Sequence, residues 1–201
     1  MAKTSCFDLD KLMATLNTDN PVEIFNAIRY VEQCKETAVP ELLAAIPVQP
    51  DLVQRRIVGL LSGYSEENHD ARLVESMLAL LISPDPIIAG RAFDVLEGFI
   101  TDIWPNLLAL LPQCGSLIKL QLLQALNNVY DLRLISPLLQ LLRETNCSSM
   151  RYTIIELLGK LASPGASEVI EIIETYADDP DHHVRTRVKR ALDRLNATPL
   201  P

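Results

Sequence analysis

Seven residues stand out as the chain's densest chemistry: His182, His183, Arg185, Arg187, Lys189, Arg190 and Arg194, a basic cluster in a protein of net charge -8. Cations at this density can dock an acidic partner or a phosphate-bearing ligand. Equally, they can form the polar cap that keeps the last unit of a repeat array soluble. Arg185, Lys189 and Arg190 are the candidate docking patch. Cys114 and Cys147 sit four and three residues before Ile118 and Met150, in equivalent turns, and are candidates for a thiol pair or for small packed hydrophobes. The only histidines are His69, His182 and His183, and there is no His-Glu dipeptide. His182 and His183 are adjacent and are expected to project to different helix faces, so no metal is expected. GxGxxG, GxxxxGK and GxSxG are all missing, which leaves nucleotide binding and serine hydrolysis without a motif.

The elements that carry these residues follow from periodicity. From Val184 the apolar positions Val184, Val188, Ala191, Leu192 and Leu195 fall at offsets 0, +4, +7, +8 and +11, one face of a helix. The same template fits from Ile24, Val53, Ile88, Ile118 and Met150, at intervals of 29, 35, 30, 32 and 34 residues. The copy from Ile24 decays at Glu32 and Lys35, as an end repeat can. Each such helix follows an earlier one, of the type VPELLAAI from Val39, WPNLLALL from Trp104 or ISPLLQLL from Ile135, whose Pro suits a first helical turn. Asp, Asn and Ser in the intervening turns are expected to cap the second helices.

Composition agrees with an all-α chain: 48% hydrophobic but only 5% aromatic, with 7 glycines in 201 residues. The acidic balance argues against nucleic-acid binding, which draws its affinity from Lys and Arg. Charged residues or Pro interrupt every apolar run before the roughly 18 residues of a membrane span. Four cysteines without a CxxC pair, and a start without an apolar h-region, lead us to expect a cytoplasmic chain with reduced thiols.

A period near 32 residues with two helices per unit predicts an α-α superhelix of six helix pairs, in which each unit buries its face by stacking on its neighbours. The units run over about 7–36, 37–67, 68–102, 103–133, 134–164 and 165–197, within one domain spanning 1–201. The string D-P-D-x-x-V-R-x-x-V-x-x-A-L-x-x-L from Asp178, with SPDPIIAGRAFDVLEGF from Ser83 and the Pro-bearing first helices, resembles HEAT repeats. The likeness is greatest to the short bacterial, armadillo-like kind seen in phycobilin lyases. That resemblance implies a scaffold whose second helices line a binding face, and an Arg at offset +1, as in Arg151, that contacts a turn Asp.

On the second helices, offset +5 carries Val58, Phe93, Leu123 and Ile155 in the four middle repeats, and offset +2 carries Arg55, Leu120 and Tyr152 among others. If exposed, this row is an apolar groove for a partner helix or peptide; if neighbouring helices cover it, it is core. The expectation is a non-enzymatic scaffold that binds another protein through Arg55, Val58, Phe93, Leu120, Leu123, Tyr152 and Ile155, with no cofactor. The alternative implied by the resemblance is a bilin-handling lyase subunit, with Tyr152, Arg55, Asp94, Glu97 and Glu156 near the tetrapyrrole's polar atoms.

Overall fold

The computed structural model describes residues 8–62 and 71–197, apart from the side chains of Lys35 and Glu36. Cys6, Tyr64 and His69 therefore lie outside the described residues. All regular structure among them is helical. The twelve α-helices are α1 Leu9–Leu16, α2 Pro21–Gln33, α3 Lys35–Ala45, α4 Asp51–Leu61, α5 Ala71–Leu80, α6 Pro86–Leu96, α7 Ile100–Leu110, α8 Ser116–Ala125, α9 Ile135–Glu144, α10 Ser148–Leu161, α11 Ser167–Glu174 and α12 His182–Leu195. Odd and even helices alternate as the first and second members of six pairs, and each template copy starts inside an even-numbered helix. The contacts divide the chain into two compact units, one of residues 1–99 and 113–118, the other of 100–112 and 119–201.

In the first unit, α1 packs on α2, α5 on α6 and α4 on α6. Its core comes from the template positions: Val53, Ile57 and Leu61 on α4, and Ile88, Ala92, Val95 and Leu96 on α6, are all buried. Ile24 and Ile28 on α2 are only half-buried, in keeping with the weaker first copy. In the second unit α10 packs on α9 and most extensively on α12. Met150, Ile154, Leu157, Leu158 and Leu161 of α10 are buried, and so are Val184, Val188, Ala191 and Leu195 of α12.

Turn chemistry explains where the second helices start. Asn20 accepts from the Val22 amide (3.0 Å), Asp85 from Ile87 (2.9 Å) and Asp181 from His183 (2.8 Å). Each cap satisfies an amide that the first helical turn leaves without a partner, a contribution of about 1 kcal/mol. Pro50 and Cys147, at the same place before α4 and α10, provide no side-chain cap. After α10 the chain reverses through Gly165, whose φ of 81° suits a residue without a Cβ. Its amide donates to the Leu195 carbonyl at 2.8 Å, tying the turn to the end of α12.

Pro137 lies in the first turn of α9 as expected, but two other first helices begin earlier than their prolines suggest. Pro40 lies inside α3 and Pro105 inside α7, each five residues from the helix start, rather than in the first turn. Both helices follow closely on the preceding second helix, so their first turn forms upstream of the Pro and only one internal hydrogen bond is forfeited.

Two ion pairs reach from one repeat to a buried turn Asp of the next. Arg55 of α4 reaches Asp85 before α6 (Nε to Oδ2, 2.6 Å), and Arg151 of α10 reaches Asp179 before α12 (Nε to Oδ2, 2.8 Å). Asp85 and Asp179 are two of the few buried polar residues. Burial alone would raise the Asp85 pKa, but the Arg55 hydrogen bond and the amides of Ile87 and Ile88 outweigh it and hold the carboxyl below its ordinary 3.8. The fold thus favours the charged form: the stabilisation is complete above 3.8 and is lost as pH falls through the lower folded-state value. Urea unfolding should therefore show stability declining on acidification below that point, and Asp85→Asn should flatten this part of the profile.

Candidate functional site

Burial overturns the apolar-groove expectation. Val58, Leu123 and Ile155 are 0% exposed and Phe93 is 6% exposed, so the offset +5 row is core and not an open contact surface. The reason is helix geometry. At about 100° per residue the five template positions span about 100° of arc, and offset +5 lies about 60° beyond their edge. A second helix is flanked by other second helices as well as by its own first helix. α4 on α6 and α10 on α12 are such contacts, and they widen the buried arc until it takes in +5. Gly159 marks the closest approach, since a Cβ there would lie 2.8 Å from the Ala191 Cβ and 3.1 Å from its Cα. Gly159→Ala should cost about 1–3 kcal/mol, because a helix backbone has to move to admit one methyl group; a urea midpoint measures it.

The remaining sequence candidates separate in the structure. Arg55 is committed to Asp85 and so links repeats. Leu120 and Tyr152 are half-buried. In the basic cluster, Arg185 folds back on its own turn, donating to the carbonyls of Asp179 (2.6 Å) and Pro180 (3.0 Å). Lys189 and Arg190 are both exposed, but only Arg190 lines a groove. Of the docking set, Arg185 is thus engaged by its own turn, while Lys189 and Arg190 carry exposed charge.

The second helices instead present offsets +6 and +10, which lie beyond the template's other edge from +5. Most residues there are polar, Asp94, Gln124, Glu156 and Arg190 at +6, and Asn128, Lys160 and Arg194 at +10, beside Tyr30 and Gly59 at +6 and Cys34 and Gly98 at +10. All are exposed or half-buried. Two clefts open on this arc, one in each unit. In the first unit, a cleft of about 750 Å³ is lined by Ile24, Ile28, Leu60, Arg56, Arg91 and Asp94, among others. Arg56 is fixed at its wall, its Nη1 donating to the Leu16 and Thr18 carbonyls at 2.6 Å each. Arg91 crosses Gly59, where a side chain would meet its guanidinium, and donates to the Arg55 carbonyl at 2.6 Å.

In the second unit, a groove of about 340 Å³ runs between α10 and α12. Lys160, Arg187, Arg190 and Arg194 line it, with Glu156 as the one carboxylate and Gly159 and Ala191 among its walls. Glu156 pairs with Lys160 at 3.6 Å and with Arg187 Nη1 at 3.3 Å. Lys160 also bonds the Asn127 side-chain oxygen. Lys160 and Gly159 did not figure among the sequence candidates; counting 100° per residue from the template would have placed Lys160 on this arc and Gly159 beside the +5 row.

His182 and His183 do not diverge as expected. Their rings stand 3.8 Å apart at the open end of α12, where no preceding turn holds them apart, and their nitrogens and an Asp181 oxygen lie within 4.8 Å of one another. The Asp181 carboxyl is already engaged, held below the ordinary carboxylate range first by the His183 amide and then by Ser148. Cys114 is buried and Cys147 exposed, so the two equivalent turns hold their thiols in different environments. Among the described residues no helix is long and apolar enough to cross a membrane.

No family model matches the chain, and no curated protein matches it in sequence. Solved structures do. An engineered protein known from a crystal structure shares 18% identity at a TM-score of 0.53, over 94% of this chain and 96% of its own. A designed armadillo repeat protein shares 14% identity at a TM-score of 0.51, over 94% of this chain and all of its own. The fold is an α-α solenoid. At such identities the likeness carries the architecture alone, and the helix pairs of this solenoid reproduce the six repeats read from the sequence.

Proposed function

We propose that this solenoid is a non-catalytic scaffold, working without a cofactor, that binds another protein through the outward arc of its second helices. The observation behind this reading is where the polar residues lie. The apolar template and the +5 row are consumed in helix packing, while +6 and +10 keep Asp94, Glu156, Lys160, Arg190 and Arg194 accessible. Charged residues on such a surface act through complementarity, setting register and association rate. Affinity capture with the full chain from its native cell, mass spectrometry, and reconstitution with the purified partner test it. Reversing Asp94 to Lys and Arg190 to Glu should weaken the complex at least tenfold with helicity unchanged. A chain that remains alone in capture and in chemical cross-linking ends the reading.

A second reading, bilin handling, has the first-unit cleft in its favour: about 750 Å³, with half-buried Ile24, Ile28 and Leu60 beside Arg56, Arg91 and Asp94. Ligand sites commonly combine this size with apolar walls and a few placed charges. Adding a bilin and seeing no change in its visible absorbance, alone or with a candidate acceptor subunit, removes that reading.

A further inference from the structure

The α10–α12 groove combines features that point to a particular occupant. Four cations line it in a chain of net charge -8, so the local field opposes that of the molecule as a whole. Glu156 already demonstrates how a carboxylate sits there, between Lys160 and Arg187, while both of those cations and the acid itself stay part-exposed. An ion pair at that exposure is weak and exchangeable. Arg190 and Arg194 face no carboxylate at salt-bridge distance among the described residues. Arg194 makes only a long contact, 3.5 Å, to the Gly159 carbonyl.

The shape of the groove selects among anions. Gly159 and Ala191 let the two helices meet closely, and no aromatic ring lines the groove to stack on a base or sugar. Compact phosphates draw on backbone amides at helix N-termini. This groove follows residues 156–160 and 187–194, inside and near the C-terminal ends of α10 and α12, where those amides are used within the helix. Only side-chain charge is on offer, distributed along the groove, which suits carboxylates spaced along an extended chain.

We propose that this groove binds an acidic peptide segment of a partner protein, whose carboxylates pair with Arg190 and Arg194 and displace Glu156 from Arg187. The proposal rests on the scaffold reading for the origin of the peptide. A fluorescently labelled peptide of about ten residues rich in Glu and Asp, titrated into the full chain at low salt and read by anisotropy, tests it; exposed ion pairing of this kind should weaken at high salt. Arg190→Glu with Arg194→Glu should weaken binding at least tenfold with unchanged circular dichroism, since both side chains are exposed. Glu156→Gln should tighten it several-fold by removing the internal competitor. Arg133→Glu, an exposed charge reversal outside the groove, should leave it unchanged. Equal binding by the double variant and the native chain overturns the groove as the site, and leaves the scaffold reading to stand on the capture experiment alone. Binding of inorganic pyrophosphate that the double variant abolishes, with no peptide binding, overturns the peptide assignment in favour of a compact anion.

Discussion

Ile155→Asp should abolish folding of the second unit, seen as a loss of far-UV helicity or a fall in urea midpoint too large to be local. Ile155 is 0% exposed, at the offset where an open groove would place a contact residue. An ionised carboxyl there has no partner, and burying an uncompensated charge costs several kcal/mol even after the group protonates to relieve it. Domains of this size are stable by about 5–15 kcal/mol in total, so one such substitution removes much of the margin. Phe93→Asp, at 6% exposure in the first unit, should behave in the same way. If either variant instead kept its helicity and thermal midpoint while losing a partner, the row would be a contact surface after all.

Asp179→Ala should destabilise the chain by about 3–5 kcal/mol, the usual effect of removing one member of a buried ion pair. Its side chain is 5% exposed and that of Arg151 is 13% exposed, so the guanidinium left behind regains little water. Asp179 also accepts from the Asp181 amide at 2.9 Å and from Arg151 Nη2 at 3.2 Å. The Arg151 Nε hydrogen is not aimed at the oxygen 2.8 Å away, so that contact is one of charge more than of directed hydrogen bonding. In a chain of about 200 residues this loss should lower the thermal midpoint by roughly 10 °C. Arg55→Met makes a useful contrast. Its side chain is 38% exposed, water compensates more of what is removed, and a smaller loss is expected. A double-mutant cycle with Arg151→Met separates the coupling of the pair from the packing each side chain provides.

The HEAT-type expectation that Arg151 contacts a turn Asp is met in this pairing, and Arg55 makes the equivalent contact from offset +2. Sequence spacing could suggest one such contact but not the other, because whether an arginine reaches the next turn depends on how far one repeat is rotated and shifted against its neighbour. The same quantity decided the offset +5 row. Val58, Phe93, Leu123 and Ile155 carry the composition of either a groove or a core, and a single helix viewed alone cannot distinguish them.

What the sequence determined by itself was local and periodic: all-helical structure, six pairs with the second helices at Ile24, Val53, Ile88, Ile118, Met150 and Val184, and the caps at Asn20, Asp85 and Asp181. Each of these depends on residues within about one to three turns of one another, so it can be read along the chain. What only the tertiary structure decided was which arc of each second helix remained open. The meeting of Gly159 with Ala191 and the convergence of Lys160, Arg187, Arg190 and Arg194 around Glu156 join residues some 30 positions apart. Their proximity depends on the interhelical distance, which the size of the side chains at the contact sets and which no periodicity encodes.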